Sequence, residues 1–370
     1  EYELGELLPF EQPTAYIVKS TDYSDAYATP VLTAGKSFIL GKTNETDGIF
    51  DQLPVIIFDD FTTATQFVNF RFKVKSSAMK ILQINTDLVI PKYIFYRLQI
   101  IQFDHSTHKR YWIQSYSKIK VLIPPLDEQS RIVTRIDELF SELDKAVDTL
   151  KTTKEQLEVY RQAVLVDAFR VATNSTHLKI GYVCAKIVDC PHSTPKWEKN
   201  GKLCLRTTNF KRGYLDLQSP NYVSEETFND RNRRIIPQPG DVLYSREGSV
   251  LGIACTIPSN VYPCLGQRMM LLRSGEKLNN RYLMHYLNSP MVTNHVIATK
   301  GGTGSPHINV GDIKEFQIPI PSLEEQSNIV RQIEEQLSSC DNVEKTVDAI
   351  LTQADAMRQS ILKQAFEGTL

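Results

Sequence analysis

The strongest constraint on this chain is that it is written twice. Shifting residues 127–169 by 197 positions lays them on 324–366 without a gap, and 16 of the 43 positions are identical. Unrelated segments of this length would share roughly two or three positions, so the match is a duplication. Among the matched pairs are Ile132/Ile329, Val133/Val330, Ile136/Ile333, Asp144/Asp341, Arg161/Arg358, Gln162/Gln359, Leu165/Leu362 and Ala168/Ala365. A weaker echo precedes each copy. Tyr93-Ile94-Phe95-Tyr96-Arg97-Leu98 resembles Tyr282-Leu283-Met284-His285-Tyr286-Leu287, and Gly5 and Gly181 open the two halves in similar settings. Each half also reaches an Ile-Lys pair (Ile119-Lys120, Ile313-Lys314) and then Ile123-Pro124-Pro125-Leu126 or Ile320-Pro321-Ser322-Leu323. The 370 residues therefore divide into a variable module (1–126), a repeated segment (127–170), a second variable module (171–323) and the second repeated segment (324–370).

Each repeated segment predicts one long helix. Ile136, Leu143, Leu150, Leu157 and Val164 recur every seven residues, as do Ile333, Cys340, Val347, Ala354 and Ile361. Three residues beyond each lies a second lane, Leu139, Ala146, Thr153 and Tyr160 in one copy and Gln336, Val343, Ile350 and Met357 in the other. Two lanes at this spacing define a coiled-coil seam, with Ile136, Leu143, Leu150, Leu157, Val164, Ile333, Val347, Ile350 and Ile361 expected to pack helix on helix. Neither 127–169 nor 324–366 contains Gly or Pro and both follow Pro, so each spans roughly 65 Å at about 1.5 Å per residue. A duplicated unit buries the same face on both copies by pairing antiparallel about a pseudo-two-fold axis; an intermolecular coiled coil is the alternative.

The modules read as mixed structure. Short apolar runs such as Tyr16-Ile17-Val18, Val55-Ile56-Ile57-Phe58, Met79-Lys80-Ile81-Leu82, Asp241-Val242-Leu243-Tyr244 and Met269-Met270-Leu271-Leu272 alternate with turn residues. The fold class is therefore α+β, two α/β modules alternating with two long helices.

The net charge of −1 conceals an uneven distribution. Residues 127–169 and 324–366 each carry −4, residues 1–126 balance at 0, residues 170–323 carry +8, and Glu367 adds −1. A basic module with Arg, Asn and Gln at strand ends is equipped for nucleic acid, since Arg reads guanine, Asn and Gln read adenine, and Lys, Ser, Thr and glycine-rich backbone approach phosphate. The candidate contacts there are Arg206, Thr208, Asn209, Lys211, Ser245, Arg246, Gln267, Arg268, Lys300 and Thr303, beside the cluster Arg231-Asn232-Arg233-Arg234. In the neutral first module they are Lys36, Ser37, Asp60, Thr62, Thr63, Lys109 and Arg110, where binding should lean on groove hydrogen bonds more than on bulk charge.

Motifs for catalysis fail on inspection. Gly35-Lys36-Ser37 resembles the tail of a phosphate-binding loop, but Pro30 stands where the loop needs glycine. Asp312-Ile313-Lys314 lacks a second carboxylate to hold a nuclease metal, and Asn288-Ser289-Pro290-Met291 lacks the second proline and the aromatic of an amino-methyltransferase loop. The six cysteines form no C-x-x-C pair and read as reduced, mostly buried thiols. No apolar run of membrane length and no basic-then-apolar leader is present, so a cytoplasmic location is expected.

The paired sequences Ile123-Pro124-Pro125-Leu126-Asp127-Glu128-Gln129 and Ile320-Pro321-Ser322-Leu323-Glu324-Glu325-Gln326, with the closing Ile361-Leu362-Lys363-Gln364-Ala365-Phe366-Glu367-Gly368, resemble the DNA specificity (S, HsdS) subunits of type I restriction-modification systems over essentially the whole chain. The first copy departs by ending Ala168-Phe169-Arg170 without the glycine. The resemblance implies that each module is a target recognition domain reading one half of a split double-stranded DNA target. It also implies that the helices set the spacer and dock two modification subunits, which bind S-adenosylmethionine and methylate adenine, and that restriction subunits join this core. The chain itself would hold no cofactor, no metal and no catalytic residue. Rival readings are the recognition subunit of another multisubunit restriction enzyme, a coiled-coil scaffold with modules for ligands other than DNA, and a self-sufficient methyltransferase.

Overall fold

A computed structural model describes residues 1–33, 37–103, 110–299 and 306–370. The chain forms two compact units, Glu1–Leu150 with Asp348–Leu370, and Lys151–Val347. Each thus contains one module and a stretch of both long helices.

In the first unit the strands are β1 (Phe10–Glu11), β2 (Thr29–Leu32), β3 (Ile39–Thr43), β4 (Val55–Asp59), β5 (Thr65–Val68), β6 (Lys73–Val74) and β7 (Met79–Leu82). They form a four-stranded antiparallel sheet in the order β1-β7-β4-β5 and a three-stranded sheet β3-β2-β6 whose β2·β6 pairing is parallel. β4 is buried along its whole length because it is covered on both faces: Ile56 and Phe58 pack with Trp112 and Tyr116, whereas Val55 and Ile57 pack with Phe50, Phe72 and Ile81. That is why the strand is a continuous apolar run instead of an alternating one.

The second unit repeats this plan with unrelated residues. Its strands β8 (Cys184–Asp189), β9 (Lys202–Leu205), β10 (Tyr222–Val223), β11 (Val242–Ser245), β12 (Ala254–Thr256), β13 (Cys264–Leu265) and β14 (Met269–Ser274) order as β8-β14-β11-β12 and β10-β9-β13, with β9·β13 parallel. Adding seven to every strand label of the first module reproduces the second. Two modules whose strands share no legible sequence share this strand order, to which the second adds a hairpin pairing Phe210–Lys211 with Tyr214–Leu215.

Each module is closed where its ends meet. Tyr2–Glu3 pairs with Lys120–Val121, and His177–Lys179 with Gln317–Pro319. Leu4 N donates to Ile119 O and Ile180 N to Phe316 O, so the counterpart of Ile119-Lys120 is Phe316-Gln317. The Ile-Lys echo at Ile313-Lys314 is a coincidence, since that pair lies in a short helix, Val310–Glu315. The echo of the two glycines has a physical cause: a Cβ on Gly5 would sit 3.3 Å from Ser117, and one on Gly181 3.2 Å from Lys314.

A short helix in each module, α1 (Pro91–Leu98) and α3 (Asn280–Asn288), docks on the long helices α2 (Leu126–Arg170) and α4 (Leu323–Glu367). The docking explains most of the sequence echo. Gln129, fully buried, accepts from Ile90 N at 2.8 Å and donates to Leu88 O and Pro124 O, pinning the start of α1 to the start of α2. Gln326 does the same with Asn279 N, Lys277 O and Pro321 O at the start of α3. Lys92 and Tyr96 both reach Asp137; Arg281 and His285 both reach its repeat partner Glu334. Tyr93 meets Phe366 edge-on, and Tyr282 meets Phe169 in the same way.

Within each unit the long helices run antiparallel. In the first unit Asp144 pairs with Arg358. In the second Arg161 pairs with Asp341 at 2.5 Å and with Glu344 at 2.8 Å, and Lys154 also reaches Glu344. The bridges Asp144–Arg358 and Arg161–Asp341 exchange under the 197-residue shift, as a duplicated antiparallel pair requires.

One lane of the seam lies where the heptads place it. Ile136, Val164, Ile333, Cys340, Val347 and Ala354 are buried and Leu143, Leu150, Leu157 and Ile361 half-buried. The second lane is displaced by one residue. Val343, Ile350 and Met357 are exposed, as are Tyr160, Ala146 and Gln336, while Leu139 and Thr153 are half-buried, so Ile350 is not a seam residue. The inward positions lie four residues beyond the first lane, at Phe140, Val147, Lys154 and Arg161 and at Leu337, Glu344, Leu351 and Arg358. Near 3.6 residues per turn, the residues three and four beyond the first lane flank it on opposite sides, and here the packing follows the side that carries the ion pairs.

Candidate nucleic-acid interface

In the second module four chain segments converge at one edge of the four-stranded sheet: the end of β8, the end of β11, the β13–β14 connection and residues 306–308. Arg231 ties two of them together, donating from its buried guanidinium to Leu265 O, Gly266 O, Ser193 O and Pro191 O. The Gly248 and Ile308 amides join the β11 end to the last segment, through Pro306 O and Arg246 O. A Cβ on Gly266 would lie 2.1 Å from Leu205 O, so only glycine lets the β13–β14 connection pass the end of β9.

On this scaffold Arg206, exposed at the end of β9, stacks its guanidinium over the Trp197 ring with 5.4 Å to the centroid. Gln267 donates to His192 O at 2.6 Å and accepts from the Thr194 hydroxyl. Arg268 holds a left-handed backbone (φ 66°) and is 54% exposed, its closest acid Glu247 at 3.4 Å. Strained backbone held by surrounding contacts concentrates at functional sites. Thr208 is exposed in the adjoining turn. Arg206, Gln267 and Arg268 are thus gathered together.

Three other candidates are buried within the protein. Arg246 is buried, its Nε and Nη2 spanning both carboxylate oxygens of Asp189, which ties the end of β11 to the end of β8 across the intervening β14. Asn209 is buried because its amide closes a turn, accepting from Arg206 N and donating to Asp216 O. Ser245 is sealed inside β11, opposite Met269. Lys211 is exposed but elsewhere: it lines a cavity of about 340 Å³ together with Arg161, Arg212, Glu158, Asp341 and Glu344. Sequence reasoning missed His192 and Thr194, although the polar stretch between Pro191 and Pro195 marked a loop.

In the first module the corresponding edge carries the β4–β5 turn. Asp59 Oδ1 accepts from Phe61 N and Thr62 N, and Thr63 takes a left-handed conformation (φ 59°). Asp60 is 2% exposed and held within the protein: its Oδ1 accepts from Trp112 N at 2.8 Å and its Oδ2 lies 3.7 Å from the buried Lys80 ammonium. Thr62 and Arg110 are exposed and Thr63 half-buried, with Arg110 immediately preceding the Tyr111–Gln114 helix whose first amide donates to Asp60 O. Ser37 is exposed in the β2–β3 hairpin. Lys36, Lys109, Lys300 and Thr303 lie outside the described residues.

Among the described residues no group of His, Cys, Asp or Glu is placed to hold a metal, and no helix is long and apolar enough to cross a membrane. All six cysteines are unpaired, Cys184 half-buried and the others buried.

Two modules of one topology, each pinned through a buried glutamine to duplicated antiparallel helices, define a class of paired-module proteins. The family model described as the type I restriction modification DNA specificity domain matches residues 1–159 and 186–353, and the chain belongs to this family. It is 33% identical over 339 residues to the type I restriction enzyme EcoR124I/EcoR124II specificity subunit of Escherichia coli, covering 88% of this chain and 84% of the relative. Among solved structures the HsdS subunit from Thermoanaerobacter tengcongensis superposes with a TM-score of 0.54 at 19% identity, covering 100% of this chain and 96% of that one. A chain from a structure described as the basis of complex assembly and conformational transition of the type I R-M system gives a TM-score of 0.68, again at 19% identity, covering both chains fully.

Proposed function

We propose that this chain is the sequence-specific DNA-binding subunit of a type I restriction-modification enzyme, each module reading one half of a bipartite duplex target and the helix pair setting the distance between halves. The observation that carries this reading is that the modules share strand order but present different side chains at the same sheet edge: a threonine-rich turn in one, an arginine-rich loop cluster in the other. A common scaffold with divergent edge loops suits two sequences read in one framework. The partners in this reading are two modification subunits, which bind S-adenosylmethionine and methylate adenine N6, and restriction subunits that carry the nuclease; this chain supplies no catalytic group and works in the cytoplasm. Methylome sequencing of cells expressing the chain with its modification subunit tests the proposal. It should return one split motif with methylated adenines in both halves. Unmethylated DNA, together with salt-insensitive or absent retention of duplex in a gel shift, would favour the scaffold reading instead.

A further inference from the structure

The first module has no net charge across residues 1–126, yet in the reading above it must recognise a half-site as well as its basic counterpart does. The edge at which it does so follows from topology. The β11–β12 connection of the second module begins at Arg246 and lies in the arginine-rich cluster, and its counterpart in the first module is the β4–β5 turn. The two turns expose different chemistry. In the second, Leu251 folds back against the core and the tip turns through Gly248 and Gly252, both at positive φ. In the first, Phe61 points outward and is 50% exposed.

This exposure is built. Asp59 accepts from the Phe61 and Thr62 amides, Asp59 N donates to Ala64 O, and Thr63 N donates to Asp59 O, so the turn is closed on itself. Asp60, next in the chain, is anchored beneath by Lys80, Trp112 N and Tyr111 N. Two buried carboxylates therefore hold one aromatic ring in water, beside Thr62. A single ring among hydroxyls is too small a patch for a protein partner. An apolar side chain has one distinctive target in the major groove, the 5-methyl group of thymine.

We propose that Phe61 is a specificity-determining residue of the first module that contacts a thymine methyl group, and that Asp59 and Asp60 are its positioning residues. This rests on the DNA-reading function proposed above. The first half-site then contains at least one thymine recognised through its methyl group, by a contact that does not depend on charge.

The test uses the chain in complex with its modification subunits and duplexes of the mapped recognition sequence, in which each thymine in turn is replaced by deoxyuridine, removing only the methyl group. Binding is read by fluorescence anisotropy. With the unsubstituted chain, one replacement should weaken binding about threefold to tenfold, the worth of one buried methyl group and its packing. In Phe61→Ala that penalty should vanish while penalties at other thymines persist, and Phe61→Leu should retain part of it. The assignment is overturned if no thymine in the motif shows a methyl penalty, or if the penalty survives in Phe61→Ala. It is also overturned if Phe61→Ala weakens every duplex equally, which would make the ring a non-specific wedge. Failure of the parent reading looks different: the unsubstituted complex would show no preference for any sequence.

Discussion

Burying a polar side chain is costly unless protein groups satisfy it, and Asp60 is satisfied by a backbone amide, Trp112 N, and by the ammonium of Lys80, itself almost wholly buried. Replacing Asp60 by Ala strands both, and losing one partner of a buried pair costs about 3–5 kcal/mol. Asp60→Ala should therefore lower the thermal midpoint of the first module by several degrees, with DNA affinity at low temperature falling only as far as the turn loosens. An unchanged midpoint with abolished binding would return Asp60 to the role of base reader. The same logic explains which site residues were legible. Residue type and loop position pointed to Arg206, Gln267 and Arg268, which the structure gathers at one edge. They pointed equally to Arg246, Asn209 and Asp60, because an arginine before a turn looks the same in sequence whether or not an aspartate lies across the sheet. Asp189 stands 57 residues from Arg246, and no local pattern announces the pair.

At the scale of elements, the two long helices and their antiparallel sense were legible from the repeat, but the phase of one seam lane was not. Val343, Ile350 and Met357 supply an apolar lane three residues beyond the first, whereas the lane that packs contains Lys154, Arg161, Glu344 and Arg358. Hydrophobic counting favours the former, and only the ion pairs across the seam select the latter. Val347→Lys places a charge at a buried position and should cost several kcal/mol. Ile350→Lys, at an exposed one, should stay within about 0.5 kcal/mol. Chemical denaturation of the full chain separates them, and equal losses would restore the three-residue lane. The docking of α3 on α4 adds a pH dependence. A hydrogen bond from His285 and the charge of Arg281 hold the Glu334 carboxyl below its ordinary value of 4.5, against the upward push of burial. A carboxyl lowered on folding contributes stability above about pH 4.5 and loses it as pH falls through the lower folded value. Glu334→Gln should thus narrow the difference in thermal midpoint between pH 7 and pH 3.5; an undiminished difference would place the acid sensitivity elsewhere.

At the scale of the whole molecule, the repeat shows what a change of length must respect. Each long helix is continuous over 45 residues, and its seam lanes recur every seven. Seven residues inserted after Leu150 and seven after Val347 keep every lane in phase and leave both units intact, whereas a single residue would rotate all that follows by about 100°. The heptad adds about 10 Å of axial rise. Duplex DNA covers that distance in about three base pairs. If the helices set the distance between half-sites, the doubly extended chain should direct methylation to the same two half-sites with a longer unread spacer, lengthened by up to three base pairs. Extending α2 alone should instead leave its added heptad without partners on α4, and stability should fall without any new spacing appearing. Sequencing methylated adenines in cells carrying each version decides the matter. A doubly extended chain that still methylates the original spacing would mean that the helices hold the modules in one chain without measuring the DNA between their targets.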